Sequence, residues 1–179
     1  MTDNSLRVIR RKIMVPPLAD SVVPRKRVDA LLTGLLDQHR LVFIYASAGA
    51  GKTTAIVHAA QRMQRPLVWL DLDSTDAATG RLLTYLEAAL ARQIPEAAGV
   101  ATSALAAHLP HAEVAGLLAE AIGDVPVLIV LDDAERLAGA PDALEVLASF
   151  ARYLPPFARL LVASRTELPF RSRDRKSVV

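Results

Sequence analysis

The sequence predicts an α/β fold, a parallel β-sheet with helices packed on its faces. Three observations carry that prediction. Short apolar runs recur at 41–45, 67–70, 127–131 and 160–163, each bounded by polar, glycine or proline residues, as strands buried on both faces are. Longer segments between them repeat their apolar residues at helical spacing. The first run leads into a loop with two closely spaced glycines, and a helix-compatible stretch follows directly. Strands that alternate with helices argue for parallel rather than antiparallel pairing, because each return to the sheet needs a crossover.

In chain order, residues 1–23 read as an extended lead-in, with Pro16-Pro17 disfavouring helix before them. Pro24 suits a first helical turn, and Val28, Leu31, Leu32, Leu35 and Leu36 place an amphipathic helix over about 24–38. Strand 41–45 and helix 52–64 follow; Pro66 then breaks the chain before strand 67–70. The polar stretch 71–76 is a turn with several capping residues, and Leu82, Leu83, Leu86 and Leu90 define a helix over about 79–92. Residues 94–110 are Ala-rich and read as short helix and loop. Val114, Leu117, Leu118, Ala121 and Ile122 predict another helix, ended at Gly123. Strand 127–131 is next. A helix begins at Pro141 and is closed by Pro155-Pro156, and strand 160–163 completes the pattern.

Composition sets bounds. The chain has 179 residues, enough for one domain with a substantial core, and its 52% hydrophobic content is too high for a disordered chain. A net charge of +2 creates no strong field for polyanions. Basic residues cluster at the two ends (Arg7, Arg10, Arg11, Lys12; Arg171, Arg173, Arg175, Lys176) and read as solvated termini rather than as a nucleic-acid surface. Without cysteine there is neither a disulfide scaffold nor a Cys-based zinc site, which fits a reducing cytoplasm. No metal-ligand spacing joins the four histidines, no signal peptide opens the chain, and no apolar stretch approaches the ~20 residues of a membrane span, so no membrane contact is expected.

The chemistry concentrates behind three of the apolar runs. Ala46-Ser47-Ala48-Gly49-Ala50-Gly51-Lys52-Thr53-Thr54, set between strand and helix, has the layout of a phosphate-binding P-loop. Gly49 and Gly51 allow the tight turn that aims backbone N–H groups at phosphate oxygens. The helix N-terminus adds further N–H groups and the positive end of its dipole. Lys52 can reach the β- and γ-phosphates and Thr53 can hold Mg2+, with Ala48, Ala50 and Thr54 completing the cradle. The pattern usually opens with Gly where this chain has Ala46. The bland alternative is a helix-capping glycine turn with an exposed lysine.

Behind the third apolar run stand Asp132 and Asp133, the layout of a Walker B strand: Asp132 for the Mg2+ shell, Asp133 to polarise an attacking water. The alternative is that Asp133 caps a short helix through Ala134, Glu135 and Arg136. Behind the fourth run stand Ser164 and Arg165. The carboxyl ends of such strands host the site, so Arg165 can reach a γ-phosphate; equally, it can be a surface arginine.

Together these segments, over about 12–170, resemble the nucleotide-binding domain of the large ATP-binding LuxR-type regulators, the MalT-like branch of the STAND ATPases. Lys12-Ile13 through Pro16 and Val23-Pro24-Arg25 resemble the family's opening segment, which lies against the nucleotide base. Its P-loop also opens with Ala. Trp69-Leu70-Asp71, Leu131-Asp132-Asp133 and Ala163-Ser164-Arg165 match its later motifs in order. The resemblance implies a three-layer P-loop NTPase fold with strand order 2-3-4-1 and a signal-controlled switch binding ATP or ADP with Mg2+. It implies that ATP favours an assembled, active form through self-association. It assigns phosphate to Lys52, Mg2+ to Thr53 and Asp132, water activation to Asp133, the γ-phosphate to Arg165 and the adenosine to Arg25. The family's DNA contact is made by a C-terminal domain with no counterpart in these residues, so hydrolysis by this chain alone is expected to be weak.

The expected domains are therefore a lead-in at 1–23 and a P-loop ATPase domain at 24–173. Residues 174–179 can be encoded by a common sequencing-adapter string and are expected to be a non-native tail. With no apolar run beyond Phe170, strand 41–45 is expected at a bare sheet edge. Two other functions fit less well: a small P-loop kinase, whose arginine-rich lid is missing from 137–154 apart from Arg152, and a non-catalytic nucleotide-dependent interaction module.

Overall fold

A computed structural model of the chain describes residues 8–18, 25–169 and 175–178. Five strands form one parallel sheet: β1 (Leu41–Tyr45), β2 (Leu67–Asp71), β3 (Leu128–Asp132), β4 (Arg159–Ser164) and β5 (Arg175–Val178), in the order β2-β3-β4-β1-β5. Among the described residues six α-helices accompany them: α1 (Lys26–Gln38), α2 (Lys52–Met63), α3 (Thr79–Ala91), α4 (Val100–Ala106), α5 (His111–Glu120) and α6 (Pro141–Arg152).

The alternation of side chains along each strand sorts the core into two slabs, giving three layers. Phe43, Leu70, Ile129, Leu131, Leu160 and Val162 face α3 to α6, while Val42, Ile44, Trp69, Val130, Leu161 and Ala163 face α1 and α2. Because both faces are covered, the strands read as unbroken apolar runs rather than alternating ones. Leu36 of α1 and Ile56 of α2 are fully buried, each contributing roughly 1.5–3 kcal/mol of transfer free energy. Arg159, the first residue of β4, ties α1 to the sheet, donating from Nε to the Leu36 carbonyl at 2.6 Å, one of the C-terminal carbonyls α1 cannot bond internally.

The four-strand order 2-3-4-1 appears as expected, but the bare edge does not. β5 pairs with β1 in parallel, Leu41 to Arg175 through Ile44 to Val178, so the first strand has partners on both sides. A backbone ladder explains the miss: pairing uses N–H and C=O groups that every non-proline residue carries, and four residues suffice without an apolar signature.

The lead-in also departs from expectation. Arg10–Ile13 form a 3-10 turn packed against β2 and α3, not an extended segment. Lys12, read as part of a solvated basic end, is buried. Its Nζ lies 2.8 Å from Asp73 and 2.5 Å from Asp76, and 4.5 Å above the Tyr85 ring. Asp73 and Asp76 form a capping box on the 3-10 turn Ser74–Ala77, so the polar turn at 71–76 doubles as the anchor for the N-terminal segment. Pro24 lies outside the described residues; the helix runs from Lys26, with Arg25 at its N-cap position.

Candidate functional site

The strands place three loops at their carboxyl ends, and the sheet order brings β1, β4 and β3 side by side. The loop between β1 and α2 turns through Gly49 at φ +76° and Gly51 at φ +78°, the left-handed region that glycine enters without a Cβ clash. α2 begins immediately at Lys52, so its unpaired N–H groups face the concavity of the loop. Lys52 Nζ donates to the Ala46 carbonyl at 2.8 Å, folding its charge across the loop's mouth. Arg25 Nη1 donates to the Ala50 carbonyl at 3.1 Å, laying its guanidinium over Gly51.

The decisive convergence is between α2 and β3. The Thr53 hydroxyl donates to Asp132 Oδ2 at 2.7 Å, and the Asp133 N–H donates to Asp132 Oδ1 at 2.9 Å. Asp132 is only 6% exposed. Burial raises its pKa, opposed by the hydrogen bonds from Thr53 and the Asp133 backbone. A buried carboxylate bonded to a neutral hydroxyl at a glycine loop is the donor set a hard, oxygen-seeking cation such as Mg2+ takes. Asp71 stands in register beside Asp132, and its own pKa is raised by burial and then by Asp133 and Asp132.

Asp133 has φ +54° and heads the 3-10 turn Ala134–Leu137, but its side chain makes no capping hydrogen bond. Its Oδ1 instead lies 4.0 Å from Arg165 Nη2. Arg165 is held more closely by Glu135, with Nε 3.0 Å from Oε1 and the backbone N–H donating to Oε2 at 3.0 Å. The loop residues, Asp132, Asp133 and Arg165 thus gather at the same end of the sheet, on neighbouring strands, and Arg25 reaches the loop from α1.

A family model described as an AAA domain matches residues 36–170, most of the chain. The chain belongs to the AAA domain family. No curated protein sequence matches it. Among solved structures, the AAA domain is similar to a STAND (Signal Transduction ATPase with Numerous Domains) protein with a tetratricopeptide repeat sensor from Pyrococcus horikoshii, at 16% identity and TM-score 0.54, over 92% of this chain and 24% of that one. It is also similar to the Aeropyrum pernix ORC1 protein, solved in complex with DNA, at 17% identity and TM-score 0.56, over 84% of this chain and 40% of that one. The chain therefore spans well under half the length of either relative, and at these identities the likeness is one of fold.

Two residues of this AAA domain site escaped the sequence reading. Asp71 reads as the start of a polar turn, although it ends an apolar strand just as Asp132 does, and that shared position is the available signal. Glu135 has no signal in the sequence, because its partner lies thirty residues away, just beyond the end of β4.

Proposed function

We propose that this AAA domain is the nucleotide-binding switch of a signal-responsive regulator, taking ATP and ADP with Mg2+. The observation that carries the reading is the bond between Thr53 Oγ1 and Asp132 Oδ2, which brings the glycine loop and the third strand to one point. Lys52, at the loop's mouth, would turn from the Ala46 carbonyl to the β- and γ-phosphates. Thr53 and Asp132 would hold the cation, Ala48 to Thr54 the phosphates, and Arg25 the adenosine side. The cation supplies charge neutralisation at the phosphates; this chain's residues orient the nucleotide and the attacking water. Asp133 accepts the proton of that water, and Arg165 reads the γ-phosphate.

The finer reading follows the order of motifs: a MalT-like regulator of the LuxR type, cytoplasmic, self-associating through this domain when ATP is bound. DNA contact belongs to a separate C-terminal domain of the full regulator. The STAND relative with its repeat sensor supports a switch of this architecture at the level of fold. Titration with ATP in the presence of Mg2+ tests the core of the reading. The wild-type chain binds, and Lys52→Ala weakens binding at least about tenfold while the circular dichroism spectrum stays unchanged, since charge-assisted bonds of roughly 1.5–3 kcal/mol each are lost. Equal affinity in the two proteins would sink the assignment.

A further inference from the structure

We infer that Glu135 is a positioning residue that competes with the γ-phosphate for Arg165, and so sets how strongly this domain prefers ATP to ADP. The inference rests on the nucleotide-binding reading above. Glu135 sits two residues beyond Asp133 in the 3-10 turn Ala134–Leu137, and its side chain is 15% exposed against 45% for Arg165. Its carboxylate engages residue 165 twice, once at the backbone and once at the side chain.

The two contacts differ in kind. The bond from the Arg165 backbone N–H to Oε2 is aligned and anchors the carboxylate beside the end of β4. The approach of Arg165 Nε to Oε1 is close, at 3.0 Å, yet the buried Oε1 accepts no aligned hydrogen bond. The guanidinium is held there by charge, with its directed N–H groups unspent toward that oxygen. A second carboxylate, Asp133, lies 4.0 Å from Nη2. Arg165 is therefore shared between the residue assigned to water activation and a neighbour that holds it in place.

This arrangement has two states. Without a γ-phosphate, Arg165 rests between Glu135 and Asp133 and offsets the Asp133 charge. A γ-phosphate offers several anionic oxygens in the geometry a guanidinium fork favours, and draws the side chain away while the backbone bond keeps Glu135 where it is. Asp133 is then free to accept from water. ADP presents no such group and leaves the resting pair intact. A ligand moves a two-state equilibrium only through its differential affinity for the states, so weakening the resting pair must favour ATP over ADP.

Glu135→Gln tests this, because the amide oxygen still accepts from the Arg165 N–H while the charge is gone. The wild-type chain and the variant are titrated with Mg2+ and either a non-hydrolysable ATP analogue or ADP. The expected result is a rise of about fivefold or more in the ATP-to-ADP affinity ratio, with ADP affinity unchanged. In an Arg165→Gln background the same substitution leaves the ratio where it was, which a merely structural role would not produce. Should Glu135→Gln fold too poorly to titrate, Glu135→Asp, which keeps the charge but draws the carboxylate back from Arg165 by one methylene, takes its place, and its ATP-to-ADP affinity ratio must also rise. Equal changes for both nucleotides, a ratio shift that persists without Arg165, or an unchanged ratio each overturn the inference. If the wild type binds neither nucleotide, the nucleotide-binding reading itself fails and takes the inference with it; if it binds both, only the inference is at stake.

Discussion

The Thr53 hydroxyl donates to the Asp132 carboxylate across 2.7 Å, joining the first turn of the helix behind the glycine loop to the end of the third strand, 79 residues away. Asp132→Asn keeps an oxygen for that bond and removes the charge. The expected outcome is loss of the Mg2+-dependent part of ATP affinity, at least about tenfold, with little change without the metal. Titrations with Mg2+ and with a chelator measure it, and an unchanged response to the metal would remove Asp132 from the proposed cation site.

Asp133 makes no cap bond on the turn it heads, and it faces Arg165. Asp133→Ala should therefore retain ATP binding to within about threefold while any hydrolysis falls by about a hundredfold, the range general-base groups contribute. Phosphate release under single-turnover conditions is the measurement. Wild-type turnover in the variant would leave Asp133 with a backbone role alone.

A buried cation, Lys12, helps to pin the N-terminal segment. Lys12→Met would leave Asp76, whose side chain is fully buried, without its 2.5 Å partner. Breaking such a pair costs about 3–5 kcal/mol, on the order of a 10 °C fall in Tm for a chain of this size. A Tm within two degrees of wild type would show that the pair contributes little.

The same cluster predicts an acid limit. Hydrogen bonds from Lys12 and then Thr75 hold the Asp73 carboxyl well below the usual carboxylate range. A depressed folded-state pKa contributes stability that is fully present above the unfolded value near 3.9 and is lost as pH falls toward the folded one. Urea midpoints measured from about pH 5 downward should therefore drop, and the drop should be smaller in Asp73→Asn. With the Asp73 side chain 47% exposed, solvent screening keeps its share modest. Identical pH profiles for the two proteins would rule the group out.

β5 supplies the outer partner of β1 along Leu41 to Ile44. Deleting residues 174–179 should expose that row of N–H and C=O groups and produce self-association or a lower Tm. ATP at a hundred times its dissociation constant should restore about 2.7 kcal/mol. Light scattering and thermal melts decide it: a monomeric, equally stable truncated chain would show that the edge pairing is dispensable.

The sequence by itself determined the layers and pointed to the candidate site. Unbroken apolar runs can be stable only where both faces of a strand are covered, so Leu41–Tyr45 and the later runs announced a parallel sheet between helices. Gly49 and Gly51 were legible because a positive φ is cheap only for glycine. Lys52 and Thr53 were legible because they open the helix behind the glycine loop, and Asp132 and Asp133 because they close an apolar strand and follow it. Only the tertiary structure decided the rest, and in each case the reason is a contact between segments distant in the chain. β5 carries no side-chain signature, since its pairing with β1 is made by backbone groups common to all residues. Lys12 reads as one more basic terminal residue until Asp73 and Asp76 close around it. Glu135 is one exposed-looking acid in a short turn until β4 brings Arg165 to its carboxylate. Local propensity and spacing are properties of a segment and can be read from it; an ion pair across strands depends on which strands become neighbours, and that order is settled by the packing of the whole sheet.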